Sequence, residues 1–340
     1  MINLKYLRSA ASRTRLRLPL VWLRNLGLDP ADQFLASYPR SGNTMLRFLL
    51  AEAITSVPSS FDNIQMTIPD IGVHSHAKPL LPDGGRLIKT HELQRTQYRR
   101  AIYVIRDIRD VLLSNFGRET AMDAIPRVSL DDFVPLFMQG KMSRWGAWQE
   151  HVADWLDSPA ARRGDLHIVR FEEMRADLYG TIIRALEFLG LEANSDAIQS
   201  AIVNNSLERM RAKEDNARTL PHTTEKHGRW IGQGAVYGWR QRLTPKQVGI
   251  VHAYAGEMLD RLGYLSATSL GYPSDLSSGT MSASELVWRS PVPISSARPG
   301  KNMTPDISNV RTRQRSRSPF QRLRRRVGGR TADTFSWYRH

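Results

Sequence analysis

Short apolar runs alternate along this chain with longer stretches in which apolar residues recur every third or fourth place. Residues 34–38, 86–91, 101–107 and 165–171 are the short runs and read as four strands. Residues 45–54 place Leu46, Leu49, Leu50, Ala53 and Ile54 at helical spacing, and a second helix follows Arg106 with Val111, Leu112 and Leu113 as its anchors. Helices are also predicted over 145–155, with Trp148, Val152 and Trp155 on a core-facing side, over 178–190, with Gly190 as C-cap, and over 247–263. Residues 57–85 are rich in Pro, Ser, Asp and Gly and read as a long loop region lining a substrate pocket; His74 and His76 within it read as surface or pocket histidines. Residues 204–210 and 228–240 read as polar, glycine-bearing stretches. Apolar strands separated by helices imply an α/β fold, a P-loop-like parallel β-sheet flanked by helices in three αβα layers.

Neither end of the chain shares this pattern. Residues 1–28 read as a basic amphipathic helix, with Leu4, Leu7, Leu16, Leu18, Val21, Trp22 and Leu23 among six cations and no acid. From residue 266 onward Ser, Thr, Pro, Gly and Arg dominate and hydrophobic spacing disappears, which implies disorder to His340 apart from a fraying helix near 319–327. The expected organisation is a basic N-terminal segment over 1–30, one domain over 31–265 and a low-complexity basic tail over 266–340.

Charge sharpens this division. Of a net charge of +15, residues 1–28 contribute +6 and residues 301–340 contribute +9, which leaves 29–300 neutral in total. Nucleic-acid binding would lean on the arms alone and is not expected; the arms fit a membrane surface or an anionic polymer. The chain has no cysteine, so disulfides, zinc–thiolate sites and thiol nucleophiles are excluded. It has no run of 18 apolar residues, and its N-terminus carries Arg where a secretory signal needs an apolar stretch. The expected location is the cytoplasm, with peripheral contact to a membrane through the arms.

Candidate chemistry gathers at the ends of the strands. The first strand runs into Pro39-Arg-Ser-Gly-Asn-Thr44 and then a helix. Unpaired N–H groups at a helix start point into such a turn, Gly42 lets the backbone approach, Arg40 adds a fixed charge, and Ser41 and Thr44 add hydroxyls. The turn suits a phosphate or a sulfate. The pattern G-x-x-x-x-G-K-[ST] is absent, which weakens a Mg²⁺-triphosphate reading. The second strand ends in Lys89 and His91, and the third in Arg106, with Ser114 eight residues on. Arg106 and Ser114 can converge on one anion, with Asp107 and Asp110 orienting Arg106 and Arg109. Two anion sites on adjacent strand ends suit a nucleotide with phosphates at both ends of its ribose, at the place where parallel sheets bind ligands.

These residues carry a resemblance. Ser37-Tyr-Pro-Arg-Ser-Gly-Asn-Thr44 resembles the 5′-phosphosulfate loop of the sulfotransferases that use 3′-phosphoadenosine 5′-phosphosulfate (PAPS). Arg106-Asp-Ile-Arg-Asp-Val-Leu-Leu-Ser114 resembles their 3′-phosphate loop, and Lys89-Thr-His91 their catalytic strand. Looser matches are Gly146-Ala-Trp148 with His151, Val152 and Trp155, then Phe171-Glu-Glu-Met174, and Gly234-Ala-Val-Tyr-Gly-Trp239-Arg240. The matches run in family order over roughly residues 32–262, and the chain is similar to a bacterial-type member of the cytosolic-like branch.

The resemblance implies transfer of a sulfuryl group from PAPS to a hydroxyl or amine acceptor without a metal. It implies that Ser41, Gly42, Asn43 and Thr44 cradle the 5′-phosphate, that Arg40 stabilises the departing phosphate, and that Arg106 and Ser114 hold the 3′-phosphate. His91 would be the general base and Lys89 would steady the sulfuryl oxygens. Met45 stands where many members have the tryptophan that stacks on adenine, and Phe171 stands for a tyrosine. Gly232-Gln-Gly234 replaces the usual Arg-Lys-Gly, so Arg229 or Lys226 would have to supply the missing cation beside Gly234. The acceptor is open among hydroxylated small molecules, glycolipids and saccharides. The competing readings are a nucleotide kinase of related architecture and a noncatalytic anion- or polysaccharide-binding module.

Overall fold

The computed structural model describes residues 22–121, 128–218, 231–232 and 234–265. Four strands, β1 (Gln33–Ser37), β2 (Leu87–Thr90), β3 (Ala101–Ile105) and β4 (Leu166–Arg170), lie in the order β2-β1-β3-β4 with all pairs parallel. Phe34 stands opposite Ile88 on one side and Ala101 on the other. Every residue of β3 is buried, because a parallel strand between helical layers has no face turned to water. After β1 the chain goes out to β2 and then returns to the far side of β1 as β3. The strand order therefore reverses at β1/β3, and a crevice opens at their carboxyl ends.

Helices longer than four residues are numbered in chain order, and α5 (Phe171–Ala176) follows β4 directly. Alternate strand residues feed two cores, one on each side of the sheet. Phe34, Ala36, Ala101, Tyr103 and Ile105 pack with α2 (Ile108–Ala121), α3 (Leu130–Met138), α4 (Trp148–Leu156) and α9 (Pro245–Arg261). Leu35, Leu87, Ile102, Val104 and Val169 pack with α1 (Asn43–Thr55), α6 (Leu178–Leu189) and α7 (Ser195–Asn204). This is the expected αβα layering. The interior aromatic side is stiff: Trp155 stacks on Tyr103 at 5.2 Å between centroids and donates from Nε1 to Glu92 O at 3.1 Å. Burying a side chain of this size stabilises by about 1.5–3 kcal/mol or more.

Several elements differ from the sequence reading. The stretch at 204–210 is largely helical: α7 precedes it, and α8 (Leu207–Asp215) begins within it on a Ser206 side-chain cap to Arg209 N. Helix α8 buries only Met210 and Glu214, so it shows no apolar stripe. Helix α3 carries Pro135 inside it, yet it buries Phe133, Val134, Phe137 and Met138. Helix α4 starts at Trp148 because Gly146 has φ 78°, outside helical space. Helix α9 starts at Pro245, where Thr244 and Gln247 form a capping box. The 57–85 region contains a short helix, Ile64–Thr67, and is pinned to α1 by Arg47, whose Nε donates to Ile68 O at 2.7 Å. His74 is buried as a structural residue, accepting at Nδ1 from Gly72 N (3.2 Å) with Nε2 3.1 Å from Leu26 O. Residues 1–21, 219–230, 233 and 266–340, with the expected basic helix, the disordered tail, Lys226 and Arg229, lie outside the described residues.

Candidate active site

The turn after β1 contains two left-handed residues, Arg40 (φ 70°) and Gly42 (φ 98°). Gly42 is the N-cap of α1 and supplies no side-chain cap, so the first-turn N–H groups face the turn. The Phe171 ring closes the turn from below: a Cβ on Gly42 would overlap Phe171 Cδ2 and stand 2.9 Å from Cε2. Ser41 is fully buried, and its Oγ has no partner among the described residues. Asn43 braces the turn from below by donating through Nδ2 to Leu35 O and Ser37 Oγ, both at 3.1 Å, and its Oδ1 has no partner among the described residues. Thr44 and Met45 are half-buried in the first turn, and Met45 packs against the second core.

β3 delivers Arg106 to the same place. Its Nη1 donates to Arg40 O at 3.1 Å and its Nη2 to Ala235 O at 2.7 Å, while the guanidinium lies 4.3 Å over Phe171. Arg106 Nε is buried and has no partner among the described residues. Ser114 Oγ accepts from Arg40 Nε at 2.9 Å, so Arg40, Arg106 and Ser114 meet at one spot. Arg118 follows Ser114 by four residues, one turn along the same face of α2. Burial, then Arg118, then Arg106 push the Arg40 guanidinium down to about 10. Three cations held this close in a partly dry site are arranged for an anion. Glu214 and Glu119 oppose the depression, and Glu214 accepts from Ile231 N at 3.0 Å. A Cβ at Gly232 would lie 3.7 Å from Arg40 Nη2, and one at Gly234 (φ 61°) 3.7 Å from Phe171 Cζ. The glycine loop thus runs over the turn with no side chain at either position.

The acids beside Arg106 do other work than orienting it. Asp107 binds Arg109 through both oxygens, with Arg109 Nη2 2.7 Å from Oδ2, and both side chains are fully buried. Arg109 also lies 3.8 Å over Trp239 and donates to Tyr264 O. Asp110 accepts from Tyr237 N at 2.8 Å and from Trp239 N at 2.9 Å. It ties the glycine loop to α2 from a residue 127 positions earlier, which no spacing in the sequence reveals.

At the end of β2, Lys89 Nζ is held 2.6 Å from Asp70 Oδ1. Asp70 also meets Arg47 Nη1 at 3.3 Å and accepts from Gln65 Nε2 at 2.7 Å. Burial would raise the Asp70 pKa, but Lys89 and Arg47 hold it far below the usual carboxylate range. His91 Nδ1 lies 2.8 Å from Ser37 O and 3.2 Å from Ser37 Oγ. Bonding to a carbonyl requires the proton on Nδ1, which leaves the lone pair on Nε2. That nitrogen has no protein partner among the described residues. Burial first, then Lys89, push the His91 pKa well below 6.5, so the imidazole is neutral at pH 7. A relay fixes its backbone: Tyr103 OH lies 2.8 Å from His151 Nδ1 and His151 Nε2 lies 3.0 Å from His91 O. Burial lowers His151 to about 4, in keeping with a neutral ring that donates from Nε2 and accepts at Nδ1.

A family model described as sulfotransferase domain matches residues 30–263. The chain belongs to the sulfotransferase family. Cytosolic sulfotransferase 17 of Arabidopsis thaliana is 24% identical over 269 residues, covering 71% of this chain and 78% of that protein. Sulfotransferase 1C2 of Rattus norvegicus is 22% identical over 243 residues, covering 64% and 79%. Among solved structures, mouse sulfotransferase SULT7A1 complexed with 3′-phosphoadenosine 5′-phosphate (PAP) shares the fold at a TM-score of 0.54 and 19% identity, covering 70% of this chain and 91% of that one. Retinol dehydratase in complex with androsterone and PAP gives 0.55 and 20%, covering 70% and 83%. Within this sulfotransferase domain, Arg40, Ser41, Gly42, Asn43, Arg106, Ser114, Phe171 and Gly234 gather at one crevice, with Lys89 and His91 on the neighbouring strand. Asp70 and Arg118 enter only through the fold, as do the contacts of Asp110 with the glycine loop and of His151 with His91 O.

Proposed function

We propose that the protein transfers the sulfuryl group of PAPS to a hydroxylated acceptor, with His91 as general base. The observation that carries this reading is the His91 ring: neutral, proton-bearing at Nδ1 through Ser37 O, open at Nε2, and one strand away from a cationic turn with orphaned polar atoms. Ser41 Oγ and Arg106 Nε are buried donors without partners among the described residues, and the uncapped start of α1 adds N–H groups, so these residues fit a nucleotide with two phosphate groups. Ser41, Gly42, Asn43 and Thr44 hold the 5′-phosphate; Arg106 and Ser114, joined by Arg118, hold the 3′-phosphate; Phe171, Met45 and Gly234 border the nucleoside. Arg229 lies outside the described residues.

In the reaction, His91 Nε2 takes the acceptor's proton as the acceptor oxygen bonds to sulfur. The bond between sulfur and the bridging oxygen breaks, and Arg40 stabilises the charge left on the 5′-phosphate. Lys89, held by Asp70, faces the charge on the sulfuryl oxygens. Alignment and fixed positive charge supply the rate, with proton removal contributing about 10²–10⁴-fold. A hydroxylated small molecule is the favoured acceptor class, since a structural neighbour is bound to androsterone. Peripheral membrane contact through the basic N-terminal arm belongs to the same proposal: Trp22, Leu23 and Leu26 are exposed at its described end, and salt-sensitive binding to anionic vesicles tests it.

The test is calorimetry with PAP, AMP and Mg²⁺–ATP, then turnover of His91→Ala. Binding that requires the 3′-phosphate and no metal, with turnover down at least about 10²-fold and PAP affinity retained, is expected. Preference for Mg²⁺–ATP, or near-normal turnover of His91→Ala, refutes the assignment.

A further inference from the structure

The ring of His91 has an aromatic neighbour that carries cations. Trp145 faces the His91 ring at 5.9 Å between centroids. Two guanidinium groups lie against that indole, Arg144 at 4.4 Å and Arg24 at 6.0 Å from the ring centroid. Arg24 is committed elsewhere: Nη1 pairs with Glu92 at 2.7 Å and Nη2 donates to Ile71 O at 3.2 Å. Arg144 differs. It is positioned by the indole face, yet it makes no hydrogen bond or ion pair among the described residues. The residue is exposed, so its charge faces solvent beside the indole and is open to an incoming anion. The nearby carboxylates are taken: Glu92 by Arg24, and Asp70 by Lys89 and Arg47. Glu150, beside Gly146, is exposed and pairs with neither arginine.

We infer that the acceptor carries an anionic group, a carboxylate, sulfate or phosphate, which Arg144 binds while its hydroxyl lies at His91 Nε2. This deepens the sulfotransfer reading and rests on it. The geometry sets the size. Arg144 lies no farther from the imidazole than the 5.9 Å and 4.4 Å separations laid end to end, about the span of one ring with a short charged arm. Such a ring would lie along Trp145. A cation held over an indole is pre-organised, so little side-chain entropy is lost when the anion arrives.

The experiment uses the full chain, PAPS, and acid–ester pairs: 4-hydroxybenzoate, 4-hydroxyphenylacetate and 3-(4-hydroxyphenyl)propionate, each with its methyl ester. At least one acid should be sulfated with kcat/KM about tenfold or more above its ester, mostly through KM. Arg144→Glu should abolish that ratio while calorimetric PAP affinity stays within about twofold, as expected of a side chain remote from the nucleotide. If PAP binds and the esters are used as well as the acids, or no acid is sulfated, the acceptor inference falls and the sulfotransfer reading stands. If wild-type protein does not bind PAP, both fall.

Discussion

Replacing Gly42 by alanine probes the geometry on which the nucleotide site depends. Gly42 caps α1 at φ 98°, a conformation that costs an L-residue about 1–2 kcal/mol. The new methyl would also overlap Phe171 Cδ2 and stand 2.9 Å from Cε2. Phe171 cannot swing away freely, because it is buried and the Arg106 guanidinium lies 4.3 Å over its ring. Forcing an extra carbon into such packing costs about 1–3 kcal/mol, and the reduced entropy of the unfolded chain returns about 0.4–1 kcal/mol. The net loss is about 3 kcal/mol, a fall in Tm of roughly 6–12 °C for a domain of this size. Urea and thermal unfolding measure it, and calorimetry should show PAP binding weakened at least about tenfold as Phe171 is driven against Arg106. Phe171→Ala in the same chain removes the overlap but not the backbone strain, so the double variant should be less destabilised than the sum of the singles by about 1–2 kcal/mol. Gly42→Ala within about 0.5 kcal/mol of wild type, or strict additivity, would refute the packing argument.

Three further outcomes follow from particular contacts. Since Lys89 helps to depress the His91 pKa and a base works only unprotonated, activity is lost as pH falls through that pKa; Lys89→Met should move the acid limb of kcat/KM to higher pH, read separately from its lower plateau, and an unmoved limb would sink the coupling. Arg118→Ala should reduce the affinity for PAP about tenfold but that for AMP little, because the cation sits one turn beyond Ser114; equal losses would place it away from the 3′-phosphate. Asp110→Ala frees two backbone N–H groups of the glycine–tryptophan loop and should cost about 2–4 kcal/mol in urea unfolding together with PAP affinity; an unchanged midpoint would show that Asp110 does not hold the loop.

What the sequence determined by itself is local and periodic. The four strands, the central helices and the βα turn were legible because each strand carries a short apolar run, unbroken through all of β3, and because Arg40 to Thr44 combine glycine, hydroxyl and charge in one short segment. Helix α8 was not, since its residues show no apolar stripe and its start rests on one Ser206 hydrogen bond. The tertiary structure alone decided which strand ends adjoin. The order β2-β1-β3-β4 brings Arg106 to Arg40 and His91 to Ser37, pairs far apart in the chain. It also decided that Lys89 is bound to Asp70, that Asp110 serves the distant Trp239 loop, and that Arg118 joins the cations on α2. Burial, tautomer and pKa arise from desolvation and from neighbours across the fold, and a linear chain specifies neither until the sheet has closed.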